Sequence, residues 1–300
     1  MKARLGIAPI AWSNDDLPEL GGDTPLETCL SEARQAGFTG IETGGKFPKD
    51  PETLAPILKA HDIGLCGGWF SGMLLDNDIE AEKDRIAEQM ALFKAMNAPC
   101  IVYGETAGTI QTKQDAPLAT RRSLDEEQIR TYARKMTAFA EWCAEQGMPI
   151  TFHHHMGTAI ETETDIDLLM RHSGGALALL YDAGHLAFAG GDVLGVIEKH
   201  GKRISHVHTK DIRAPIVAAL DRSKESFLDA VLKGAFTVPG DGSLDFATIA
   251  RALADCGYEG WFVVEAEQDP VKSPPLRMAE IGYQTLTQAL RAAGYQIVEP

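Results

Sequence analysis

The sequence predicts an α/β fold of the (β/α)8 TIM-barrel type, and three observations carry that expectation. Eight short runs, apolar on both faces, alternate with longer amphipathic ones from end to end of the 300 residues. No long linker interrupts the alternation, so 1–300 reads as a single domain. An open doubly wound sheet would want a glycine-rich phosphate loop after a strand, and the pairs Gly44-Gly45 and Gly67-Gly68 do not make one.

The predicted strands are residues 5–11, 40–43, 64–69, 100–103, 150–154, 177–181, 204–208 and 261–265. Each is short and two-sided, as parallel strands covered by helices are. Thr24, with Glu27 three residues on, reads as a capping box for a helix that begins at Pro25 and stops near Gly37. Helical periodicity follows over 78–97, 125–146, 164–172 and 192–200. Ser273-Pro274-Pro275 opens the last helix and Gly294 ends it. The phrases Ala36-Gly37-Phe38, His61-Asp62-Ile63-Gly64, Gln146-Gly147-Met148-Pro149 and Cys256-Gly257-Tyr258 predict a glycine in the left-handed turn at each helix end. After the seventh strand the rhythm breaks. Residues 211–242 make a long connection with one helix predicted over 214–232, ending in Val238-Pro239-Gly240-Asp241-Gly242, before a further helical run at 246–254. Long loops on the C-terminal face of a barrel are where substrate covers sit.

Composition narrows the function. A hydrophobic content of 44% and a charged content of 24% are those of an ordinary globular protein. The formal charge of -15 repels phosphate backbones and anionic lipid, so neither nucleic acid nor a membrane surface is an expected partner. Five scattered cysteines without a C-x-x-C pair read as buried reduced thiols. With no apolar run long enough for a signal or a membrane span, the expected compartment is the cytoplasm.

In a barrel, side chains at the C-terminal ends of strands share one pocket, so the chemistry is sought there. The fifth strand ends Thr151-Phe152-His153-His154-His155, with Glu161 and Glu163 beyond it. The sixth ends Tyr181-Asp182-Ala183-Gly184-His185, the seventh His206-Val207-His208-Thr209-Lys210-Asp211, and the eighth Glu265-Ala266-Glu267. Seven of the nine histidines lie in or beside these segments. A lone histidine is more often a hydrogen-bonded core residue, but imidazoles and carboxylates at four neighbouring strand ends point to a divalent cation. Such a donor set suits Mn²⁺, Co²⁺, Fe²⁺ or Zn²⁺, and the absence of nearby cysteine argues against a closed structural zinc site. A cation with open positions polarises a ketone and acidifies the neighbouring C–H. Within His206-Val207-His208 both imidazoles face one side of the strand, so one can bind metal while the other packs beneath it.

The strand-end pattern Glu/His, Asp-x-x-His, His-x-Lys-Asp and Glu resembles the xylose-isomerase-like barrel superfamily of sugar isomerases, epimerases and dehydratases. Residues 6–16 (Gly-Ile-Ala-Pro-Ile-Ala-Trp-Ser-Asn-Asp-Asp), Gly40-Ile41-Glu42-Thr43-Gly44, His153-His154-His155-Met156-Gly157-Thr158 and 182–190 (Asp-Ala-Gly-His-Leu-Ala-Phe-Ala-Gly) resemble its inosose dehydratase family, from residue 5 to about 290. The resemblance implies a hydro-lyase of inositol catabolism that dehydrates 2-keto-myo-inositol to a trihydroxycyclohexane-dione with Mn²⁺ or Co²⁺. By position it implies Asp182, His208 and Glu265 as metal ligands. Relatives carry a glutamate in the fifth strand where this chain has His153, so Glu161 is expected to swing back as the fourth ligand, with His153 as the alternative. His155, His185 and Lys210 are the candidate acids and bases; for Lys210 a salt bridge with Asp211 is the competing reading. Trp12, Glu42, Lys46, Trp69, His153 and Asp211 are expected around the substrate, a small cyclic polyol ketone; for Trp12 and Trp69, packing at the barrel mouth is the competing reading. The other readings are a sugar epimerase or ketose isomerase on the same metal, which shares the first enediolate, an apurinic endonuclease, disfavoured by charge, and a non-catalytic sugar-binding module. Assembly with further copies of the chain stays open.

Overall fold

The eight apolar runs form eight parallel strands in the computed structural model, which describes residues 1–298. They are β1 (Lys2–Ile7), β2 (Gly40–Thr43), β3 (Gly64–Gly72), β4 (Ile101–Glu105), β5 (Ile150–His153), β6 (Ala178–Asp182), β7 (Ile204–His208) and β8 (Gly260–Val264). Each pairs with the next, and β1 pairs with β8 from Ala3 opposite Gly260 to Ile7 opposite Val264, which closes the barrel. The first strand ends at Ile7 rather than running to Ala11, because Pro9 has no N–H to give a ladder and starts a 3-10 turn, Pro9–Ala11.

The outer ring is α1 (Leu26–Ala36), α2 (Pro51–Ala60), α3 (Ile79–Ala95), α4 (Glu126–Glu145), α5 (Glu163–His172), α6 (Ala183–Phe188), α7 (Val193–His200), α8 (Ala214–Ala219), α9 (Phe227–Leu232), α10 (Phe246–Asp255) and α11 (Pro275–Ala292). Asp78, Asp125 and Asp192 cap their helices as side-chain acceptors, and the Asp125 cap is completed by Gln128. The expected box at Thr24 and Glu27 does not form: α1 starts after Pro25 without a side-chain cap, and the Thr24 carbonyl instead accepts from Lys46. Helix α2, opened by Asp50 and Pro51, was not foreseen; Pro56 in its interior hid the periodicity. Gly37, Gly147, Gly257 and Gly294 take positive φ as expected, but at the end of α2 it is Asp62, with φ 52°, that makes the left-handed turn and not Gly64.

The single helix expected over 214–232 is two. Ser226 and Asp229 form a reciprocal capping box that restarts the helix, so α8 and α9 are separated by a turn. That turn is pinned to the loop after β4 by the N–H of Leu118 on the carbonyl of Glu225. The two-residue strands Asp211–Ile212 and Phe236–Thr237 close the base of the excursion as an antiparallel pair. Its apolar side chains, with Leu20, Leu118 and Met156, form a second core on the C-terminal face. Among the described residues no helix is long and apolar enough to cross a membrane.

Candidate metal centre and active site

Four strand ends bring four donor atoms together. His153 Nε2, Asp182 Oδ2, His208 Nδ1 and Glu265 Oε2 all lie within 4.8 Å of one another. His208 Nδ1 is 2.6 Å from Glu265 Oε2 and 3.6 Å from Asp182 Oδ2, and His153 Nε2 is 3.8 Å from the same Asp182 oxygen. All four atoms are buried and lack a hydrogen-bond partner of acceptable geometry. Buried polar atoms are seldom left so, and four converging on one point fit a cation.

The remaining atoms of these side chains show why they are aimed there. Asp182 ends β6 and caps α6 at once: Oδ1 accepts the N–H of His185 at 2.9 Å, which turns Oδ2 towards the cluster. His153 Nδ1 donates to the carbonyl of His154 at 2.6 Å, leaving Nε2 unprotonated. His208 Nε2 donates to Glu42 Oε1 at 3.1 Å, which turns Nδ1 towards Glu265 and Asp182. Such outer hydrogen bonds fix the tautomer and direction of a metal-binding imidazole. Irregular pairing makes the Glu42 contact possible. The ladder slips between Ile41 and Glu42 in β2 and between Leu179 and Leu180 opposite β7, and the displaced strands set Glu42 between His206 and His208. Burial alone would raise the Glu42 carboxyl, but the two imidazoles hold it far below its usual range.

A second group adjoins the first. Lys210 Nζ, fully buried, is 2.7 Å from His185 Nε2, 2.8 Å from Glu267 and 3.4 Å from Glu265 Oε2. Burial opposes its charge, yet the carboxylates of Glu265, Glu267 and Asp182 keep it above the ordinary lysine range. His155 Nδ1 donates to the Met156 carbonyl at 2.8 Å, so Nε2 faces Glu267, 3.7 Å away. Phe227 and Phe236 of the excursion pack against His155 and His185 and keep water out. Gly184 is required by this packing: a Cβ there would lie 2.5 Å from Lys210 Cγ. Gly184→Ala should therefore displace Lys210 and cut kcat at least tenfold with little change in metal content. Near-normal kcat in that variant would mean that the Lys210 position is not critical.

A cavity of about 100 Å³ reaches these groups, its wall formed by Glu42, His155, His208, Glu265 and Glu267 together with Asp16, Trp69 and Gln111. Lys210 and His185 sit behind that wall, reaching the cavity only through Glu265, Glu267 and His155.

Several expected positions are elsewhere. Glu161 does not join the donor cluster: its carboxylate accepts the N–H of Gly157 at 2.7 Å and pairs with Arg121 at 3.4 Å, so it braces the loop after β5. His153 stands in its place. Glu42 does line the cavity, with its Oε1 taken by the imidazoles of His206 and His208. Trp12 is buried, its Nε1 donating to Glu32 at 2.6 Å. Lys46 donates to the carbonyls of Gly22 and Thr24 and secures the β1 loop. Asp211 is not a partner of Lys210; its Oδ1 accepts the N–H groups of Ile212, Ser243 and Leu244 at the base of the excursion. Trp69 does line the cavity, edge-on to His153 and His155. Glu267, Asp16 and Gln111 were missed. The two-residue step from Glu265 to Glu267 was a signal for the first, whereas nothing local marks Gln111.

The barrel and its site agree with comparison to known proteins: the model of the xylose isomerase-like TIM barrel family matches residues 30–291. The chain belongs to that family. It is 45% identical over 297 residues to the rhizopine catabolism protein MocC of Rhizobium meliloti, covering 99% of this chain and 91% of that one. It is 43% identical over 280 residues to the inosose dehydratase of Geobacillus thermodenitrificans, covering 93% and 94%. By these relatives this family member is an enzyme, a hydro-lyase. Among solved structures, the IOLI protein, crystallised with a zinc atom, superposes with a TM-score of 0.66 at 16% identity, covering 97% of each chain, which speaks for the shared fold.

Proposed function

We propose that this family member dehydrates 2-keto-myo-inositol to a trihydroxycyclohexane-dione in inositol breakdown, with a divalent cation held by His153, Asp182, His208 and Glu265. The observation that supports it most is the convergence of four unpartnered donors beside a cavity that also exposes His155 and Glu267. Two imidazoles and two carboxylates suit Mn²⁺ or Co²⁺, as they do Fe²⁺ and Zn²⁺. When bound, the cation supplies Lewis-acid polarisation of the ketone.

The chain's own groups then move the proton. His155, whose Nδ1 donates to the Met156 carbonyl and whose Nε2 lies at the cavity, takes the proton from the carbon next to the ketone. Glu267, 3.7 Å away, stabilises the imidazolium so formed. As the C–H pair of electrons becomes the new C=C bond, the C–O bond one carbon further breaks, and His155 returns its proton so that the hydroxyl leaves as water. Lys210 positions Glu267 and His185 from behind, and the phenylalanines over the histidines exclude bulk water. An epimerase would return the proton to carbon instead; the names of the relatives favour elimination.

The test is incubation of the protein with 2-keto-inositol and Mn²⁺ or Co²⁺, following enolic dione absorbance, with His155→Gln beside it. Absorbance should grow with the wild-type protein and stop on chelation, and His155→Gln should lower kcat about 10²- to 10⁴-fold, the usual worth of one acid/base group. An epimeric ketone as the sole product overturns the dehydratase reading. Unchanged kcat in His155→Gln removes His155 from the chemistry.

A further inference from the structure

The residues that hold the reacting edge all come from β5 to β8, whereas the rest of the cavity wall is made by β2, β3 and β4 and by the loops after β1 and β4. We propose that Asp16 and Gln111 on that wall form a recognition subsite for ring hydroxyls of the substrate, an assignment that rests on the reading of the cavity as one for a cyclic polyol ketone.

Asp16 is directed by the chain around it. Asn14 Oδ1 accepts the N–H groups of Asp16 and Leu17 at 2.9 and 3.1 Å, a local turn that fixes the Asp16 backbone. Its Oδ2 accepts from Gln111 Nε2 at 3.4 Å, and no lysine or arginine pairs with it among the described residues. Burial pushes its carboxyl up, an effect that His155 only partly offsets and to which Glu267 adds a smaller repulsion. A further acidic group in a cavity already lined by Asp15, Glu42, Glu265 and Glu267 costs stability, and in a merely structural role it would be expected beside a cation.

Gln111 is equally constrained. The N–H of Ile110 donates to the Gly157 carbonyl at 3.0 Å, and Thr109 Oγ1 donates to Gln111 Oε1 at 3.3 Å, so the amide presents its nitrogen towards Asp16. The pair thus offers a carboxylate that only accepts and an amide N–H that donates. A hydroxyl does both, so vicinal hydroxyls of a polyol ring match it. Trp69 and Ile10 also line the cavity and supply apolar surface for the C–H face of a ring.

The experiment compares wild type with Asp16→Asn and Gln111→Met in metal content, in KM and kcat for 2-keto-inositol, and in calorimetric binding of myo-inositol, which has the hydroxyls but no ketone. Asp16→Asn should raise KM and weaken myo-inositol binding about 10- to 100-fold, the worth of a hydrogen bond to a charged group, with kcat within about threefold and metal unchanged. Gln111→Met should do the same more weakly. Variants whose KM and myo-inositol affinity stay within twofold of wild type overturn the subsite. A large fall in kcat at constant KM, or loss of metal, overturns it equally, because Asp16 would then serve the reaction or the cation. Wild-type protein that binds myo-inositol in an Asp16-dependent way but produces no dione retains the subsite and rejects the reaction. Dione formation indifferent to Asp16 does the reverse, and failure of both binding and turnover rejects both.

Discussion

His153→Gln is expected to lose bound metal and nearly all activity, while Glu161→Gln keeps both close to wild type. The ground is atomic: His153 Nε2 is buried, unpartnered and 3.8 Å from Asp182 Oδ2, whereas the Glu161 carboxylate is already committed to the Gly157 N–H and to Arg121. Asp182→Ala, His208→Ala and Glu265→Ala should behave like His153→Gln and remain folded, because each removes one donor from a closed barrel without opening its core. Glu161→Gln should cost a little stability instead, since it weakens a loop brace. Metal per chain, kcat and melting temperature, measured side by side, decide the matter. Metal loss in Glu161→Gln with retention in His153→Gln would return the fourth position to Glu161.

Lys210→Met should lower kcat about 10²-fold or more and also destabilise the metal-free protein. Among the described residues Lys210 is the only lysine or arginine within the buried group formed by Asp182, Glu265 and Glu267, at 3.9, 3.4 and 2.8 Å. Removing one partner of a buried ion pair leaves uncompensated charge and costs about 3–5 kcal/mol. Two further variants separate position from mere stability. Glu267→Gln in the Lys210→Met background should recover melting temperature, because it removes a stranded carboxylate, yet leave kcat low. Asp211→Asn, which loosens the base of the excursion without touching Lys210, should lower melting temperature with a much smaller effect on kcat. If Lys210→Met keeps wild-type kcat, the buried ammonium has no part in turnover.

Much of this was legible because the barrel is a sum of local decisions. Short apolar runs and glycines with positive φ are each specified within a few residues, so strand order and the location of the site at the C-terminal ends followed from them. Where local signals conflicted, the reading slipped. Pro56 masked α2, and the capping box at Ser226 was read through as continuous helix. Asp182, His208 and Glu265 were legible through the resemblance of their strand ends to the family pattern.

The sequence by itself determined the alternation, the barrel and the supply of imidazoles and carboxylates at four strand ends. Only the tertiary structure decided which of them meet. Glu42 and His208 are 166 positions apart and join through two slipped ladders; Lys210 and Glu267 are 57 apart and join because β7 and β8 are neighbours. His153 rather than Glu161 reaches the donor cluster because Arg121, from a distant loop, captures the glutamate. Spacing along a strand is written in two-residue steps, but the pairing of side chains across a barrel depends on register, bulges and competing partners, and these exist only once the ring is closed.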